Sequence, residues 1–232
     1  MGLLLYLDTV LVPLSFFITV GYHAYLLHCF KIKPSTTTFG INTLKRRAWF
    51  LQLKDGDDKK SMLAIQSLRN TLMETILTAS IAILVILCLA ALLNNAFNVT
   101  NLLGIHPIFG SQSSKIYSLK YGSSSLFLSA SFLFGSMAIG SLIDANFMVN
   151  NVSSEFSNSS LNVTNTVFEK GFVLALVSNR MLCISFPFML WMLGPLPVLL
   201  SSMALVWCLY QLDFVAKFTN HGNINNKHSL KL

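Results

Sequence analysis

Apolar residues along this chain come in long uninterrupted runs rather than in a two-residue alternation, and polar stretches separate the runs. The first extends from Leu3 to Phe30, broken only by Asp8, Pro13 and His23 before His28 and Cys29. It exceeds the roughly 20 residues that cross a hydrocarbon layer. A cleaved signal peptide is the rival reading, but no basic stretch precedes the run and its apolar length is too great. A retained span, tilted or kinked near Pro13, is expected over about residues 3–30. The second run, Ile76 to Leu93, has an amphipathic lead-in with Met62, Ile65, Leu68 and Leu72 at helical spacing. Together they predict a span over about 63–93.

The third run, Leu126 to Met148, predicts a span over about 123–149. Ser131/Gly135 and Ser136/Gly140 stand there at four-residue spacing, a pattern that lets helix backbones approach closely in lipid. That helix is expected to be central or to lie at a contact between protomers. The last run, Phe172 to Phe214, is too long for one span. Asn179 and Arg180 divide it into an interfacial piece and a fourth span over about 181–213. Pro187 and Gly194-Pro195-Leu196-Pro197 should break the hydrogen-bond ladder of that span. The expected architecture is an all-α integral membrane protein with one transmembrane domain (1–214), four helices and a broken fourth. Residues 31–62 form a basic connection, 94–122 and 150–170 polar loops, and 215–232 a polar tail.

Composition sharpens this picture. Of 232 residues 53% are hydrophobic and 11% charged, against about 25% charged in soluble domains. So little charge could not cover a water-exposed surface. The net charge of +7, from 16 Lys+Arg and 9 Asp+Glu, suits loops that face anionic lipid headgroups better than it suits nucleic acid. Lys31, Lys33, Lys45, Arg46, Arg47, Lys54, Lys59 and Lys60 crowd the first connection. The positive-inside rule then makes that connection cytosolic and, with four spans, puts both termini outside, in a plasma membrane or endomembrane. The glycosylation triplet at Asn98 agrees. Those at Asn151, Asn158 and Asn162 would be cytosolic and inert, so the charge bias decides the sidedness.

Candidate chemistry is sparse. Cys29, Cys88, Cys183 and Cys208 lie far apart, without the spacing of a disulfide framework or a zinc site. Cys29 could be palmitoylated beside Lys31, although a plain interfacial thiol is the blander alternative. His23 and His28 are off the i,i+4 geometry of paired ligands. No metal site, cofactor or enzyme template is indicated. Ionisable groups at membrane depth call for a functional hypothesis. His23, Arg69, Asn70, Glu74, Asp144 and Arg180 fall near the cytosolic ends, where Arg69 and Arg180 could pair with Glu74 and Asp144. Asp8 and Asp213 fall at the outer ends. The competing view is that these groups only close salt bridges or snorkel.

Several strings resemble a family of plant and bacterial membrane proteins known as domain of unknown function 599. They are Gly21-Tyr22-His23, Arg47 with Trp49, Gln66-Ser67-Leu68-Arg69-Asn70 with Met73, and Arg180 followed by Ser185-Phe186-Pro187. Leu190-Trp191, Gly194-Pro195-Leu196-Pro197 and Leu209-Tyr210-Gln211-Leu212-Asp213 complete the pattern. The resemblance implies a multi-span membrane protein and no particular activity. Glu74, Cys183 and Asp144 depart from it, and Glu74 and Asp144 read as a coupled change adding acid beside Arg69 and Arg180. The function expected is an oligomeric ion or small-solute channel or transporter. The alternative is a membrane scaffold or regulatory subunit that binds anionic lipid or a partner protein through Lys45, Arg46, Arg47 and Trp49.

Overall fold

A computed structural model describes residues 2–52, 58–99, 114–151 and 158–214, with side-chain environments over 8–48, 62–92, 118–149 and 163–214. The described residues are helical: α1 (Gly2–Ile32), a 3-10 turn at Pro34–Thr36, α2 (Thr38–Gln52), α3 (Asp58–Val99), α4 (Ser114–Asn151), α5 (Asn158–Leu190) and α6 (Pro195–Asp213). Within them Asp8–Ile32, Met62–Leu92, Ser118–Val149, Val163–Leu190 and Pro195–Asp213 are each long and apolar enough to cross a membrane. Large apolar side chains such as Phe17, Leu84, Leu133 and Trp207 point outward from them, where lipid rather than water would solvate them.

This corrects the fourth span. Residues 158–190 form one helix, so part of the expected polar loop and the expected interfacial piece belong to α5. Arg180 does not end the helix, because Asp213 supplies a counter-charge within the bundle. Pro187 sits inside the last turn of α5. Beyond it the ladder tightens: Met192 N–H donates to Met189 O at 3.2 Å, Leu193 to Leu190 O at 2.9 Å and Gly194 to Trp191 O at 3.1 Å. Gly194 then adopts φ 143° and ψ 172°, a conformation open to glycine alone. Pro195 starts α6 at a position where its missing N–H costs nothing. Gly194-Pro195-Leu196-Pro197 is therefore a reversal between two helices, and the expected break at mid-membrane is a turn at one end of the bundle.

The first connection also holds more structure than its polarity suggested. Thr37 Oγ1 accepts from Gly40 N–H at 3.1 Å, a cap that starts α2. A Cβ on Gly40 would fall 2.0 Å from Pro34 O, so the turn before α2 admits glycine only. Phe39 stacks on Phe172 of α5 at 5.8 Å, and Thr38 Oγ1 donates to Leu212 O of α6 at 2.9 Å. Those contacts hold α2 against the ends of α5 and α6.

Three apolar clusters assemble the bundle. Ala64, Leu68, Leu142, Ala145, Val149 and Phe168 join α3, α4 and α5 at one end. Ala82, Leu89 and Leu128 join α3 and α4 toward the other. Val12, Phe188, Trp191 and Val198 join α1, α5 and α6 around the reversal. α4 packs between α3 and α5. Ser131 Oγ donates to Ser178 O at 2.8 Å and Ser178 Oγ returns a bond to Ser131 O at 2.7 Å. A Cβ on Gly135 would come within 3.0 Å of Ser178 Oγ and 3.3 Å of Ala79 Cβ. Ser136 and Gly140 face outward instead.

Candidate intramembrane polar site

α1 and α6 run side by side in the same direction, and α5 runs against both, so their polar residues meet in two layers. Near the reversal, Trp191 Nε1 donates to Asp8 Oδ1 at 3.2 Å. Lys120 of α4 places Nζ 5.8 Å from the centre of the Trp191 ring and interacts electrostatically with Asp8. Asp8 and Lys120 are almost fully buried, as is Ser124 one turn on. Lys120 was expected in an outer loop. It is the first turns of α4, continuous into the third span, that carry it into the bundle.

The second layer lies toward the other end. Asp213, in the last turn of α6, is a double acceptor: Tyr22 Oη–H donates to Oδ2 and Arg180 Nη2 donates to Oδ1, each at 2.5 Å. Tyr22 and Asp213 are buried and Arg180 nearly so. His23 packs edge-on against Tyr22 and donates from Nδ1 to Thr19 O at 2.8 Å. That bond assigns the ring proton, leaving Nε2 as an acceptor in the neutral ring. Arg180 Nη1 and His23 Nε2 are buried and have no hydrogen-bond partner. Such groups cost about 1–3 kcal/mol each when left unsatisfied. Asp213 thus anchors Tyr22 and Arg180 while Arg180 and His23 keep one donor face and one acceptor unspent.

The expected pairing of Arg180 with Glu74 and Asp144 is replaced by Asp213, and Asp213 sits at the same end of the bundle as the basic connection rather than opposite it. With α5 and α6 as two helices joined by the reversal, the last helix runs opposite to the sense expected for a four-span chain. The Asp8 end of α1 and the Asp213 end of α6 therefore lie at opposite ends, where the four-span reading put both termini together. Arg69, Asn70, Glu74 and Asp144 are exposed on the surfaces of α3 and α4 and do not join the cluster. Pro187, Gly194, Pro195 and Pro197 build the reversal.

The run pattern places Asp8 and Asp213 at span ends and does not mark Tyr22, Trp191 or Lys120 as site residues. Tyr22, Trp191 and Asp213 stand in the strings that resemble the family, which is the signal that could have found them. In the basic connection, Arg47 makes a fork to Glu169 of α5, Nε to Oε1 at 2.5 Å and Nη2 to Oε2 at 2.8 Å; the half-buried carboxylate holds the Arg47 pKa above the ordinary arginine value. Lys45 is exposed. The side chain of Trp49 lies outside the described residues.

Comparison with known proteins places the chain in a family and adds no chemistry. The model of a family described as protein of unknown function, DUF599, matches residues 10–218. No curated protein and no solved structure matches the chain.

Proposed function

The chain belongs to the DUF599 family, and from that premise we propose that it is a carrier or channel which moves an ion or small polar solute past the Tyr22–Asp213–Arg180–His23 cluster. The supporting observation is the unspent Arg180 Nη1 and His23 Nε2 beside an Asp213 already engaged by Tyr22 and Arg180. Ionisable groups kept inside membrane spans are costly and mark ion or substrate paths by default. A ligand with both accepting and donating atoms would use the two open positions. Ser15, Thr19, Ser185 and Ser202, all buried, stand on the helices between this layer and the Asp8–Lys120 layer.

The same arrangement supports a sidedness. Lys31, Lys33, Lys45, Arg46, Arg47 and Lys170 lie at the Asp213 end; Lys115 and Lys120, at the start of α4, belong to the other end. The positive-inside rule makes the Asp213 end cytosolic and the reversal at Gly194 extracytosolic.

The test is solute and ion flux into liposomes carrying purified protein, scored for the wild type and Arg180→Lys. Lysine keeps the charge and loses the fork that serves Asp213 and a ligand together. Flux should fall about tenfold or more, with the elution profile in detergent unchanged. Equal flux in the two proteins would leave the cluster a structural clamp.

A further inference from the structure

A second polar site lies outside the bundle core, on the basic face of the Asp213 end. α2, α3 and α5 enclose an open cleft of about 540 Å³, lined by Asn42, Lys45, Arg46, Leu63, Ser67 and Phe168 among others. Arg46 lays its guanidinium over the Phe172 ring at 3.5 Å and reaches the Phe168 ring at 5.8 Å. Its Nη1 is buried without a partner. Burial holds its pKa below the ordinary arginine value, offset in part by the charge of Glu74; it remains a cation throughout the physiological range. Arg47, one residue on, is consumed by Glu169. The two neighbouring arginines therefore differ: one is satisfied and the other is oriented by aromatic rings with a donor to spare.

α3 opens on Asp58, Lys59 and Lys60 and turns apolar from Met62, so Leu63 and Ser67 stand in the first turns after its charged start, the kind of position where hydrocarbon gives way to headgroups. Met62 and Leu63 are strongly exposed apolar side chains beside it. Cationic donors above and bare apolar surface below match a charged headgroup with its acyl chains attached.

We propose that this cleft binds an anionic phospholipid, with the phosphate held by Arg46 Nη1 and Lys45, the headgroup flanked by Asn42 and Ser67, and an acyl chain lying over Leu63. A guanidinium stacked on an aromatic face is pre-oriented for an oxyanion and loses little freedom on binding. This narrows the lipid contact from a diffuse basic connection to one arginine. It depends neither on transport nor on the Arg180 cluster.

The test uses the full chain in detergent micelles, with phosphatidylglycerol retention followed by native mass spectrometry against phosphatidylcholine and inorganic phosphate. The wild type should retain phosphatidylglycerol in preference to phosphatidylcholine, and Arg46→Gln should weaken that retention about tenfold. Arg47→Gln should stay within about twofold, since its charge is already paired. Ser67→Trp, which fills the mouth of the cleft and keeps both cations, should lose the lipid too, and it decides the matter if Arg46→Gln does not fold. Equal losses in Arg46→Gln and Arg47→Gln would reduce the site to a diffuse basic surface and overturn the proposal. So would wild-type retention in both Arg46→Gln and Ser67→Trp, or displacement by inorganic phosphate as readily as by the lipid.

Discussion

Asp213 ties three helices together, accepting from Tyr22 of α1 and Arg180 of α5. Removing one member of a buried ion pair typically costs about 3–5 kcal/mol, since the survivor is left unpaired in low dielectric. Asp213→Asn should therefore destabilise the protein by about 3 kcal/mol, read as a large fall in thermal midpoint in detergent. Tyr22→Phe removes a single hydrogen bond and should cost about 1–2 kcal/mol. The double variant should fall short of the sum, because Tyr22 and Arg180 share one carboxylate. Strict additivity would mean that the three groups do not act together. Little of this was legible in the local sequence. Arg180 and Asp213 are 33 residues apart, and a lone arginine in an apolar run reads as a boundary until its partner is known.

At the scale of elements, the reversal and the small-residue helix make separate predictions. Gly194 occupies a backbone region in which a side chain is strained. Gly194→Ala should cost about 1–3 kcal/mol in the same thermal assay. Gly135→Ala brings a methyl group within 3.0 Å of Ser178 Oγ, an overpacking worth about 1–3 kcal/mol. Gly140→Ala meets nothing within 4 Å and should leave the midpoint unchanged. The small-residue pattern of α4 was visible in the sequence, but Ser131/Gly135 and Ser136/Gly140 look alike there. Only packing tells the contact face from the outward one. Glycine and proline at 194 and 195 were equally visible as a ladder break. Whether that break kinks one helix or turns the chain back depends on whether residues 158–180 continue the helix, and the Ser/Asn-rich start of α5 hid that they do.

Across the whole molecule, five crossings carry a consequence that four do not. Cysteines introduced one at a time at exposed positions should label from one side for Leu44 and Gln211, and from the opposite side for Leu193. Labelling of the sites near Leu44 and Asp213 from opposite sides would restore four crossings and overturn the assigned order. The amino-acid sequence alone determined that the chain lives in lipid, that its helices are apolar on all sides, and that its positive charge gathers in one connection. These follow from composition and run length, since lipid solvation acts on each residue separately. The tertiary structure alone decided that residues 158–190 form one helix ahead of the reversal, which helix ends lie together, and which charges meet. Tyr22, Arg180 and Asp213 stand on three helices, and an ion pair stable at membrane depth exists only once those helices are packed together and water is gone.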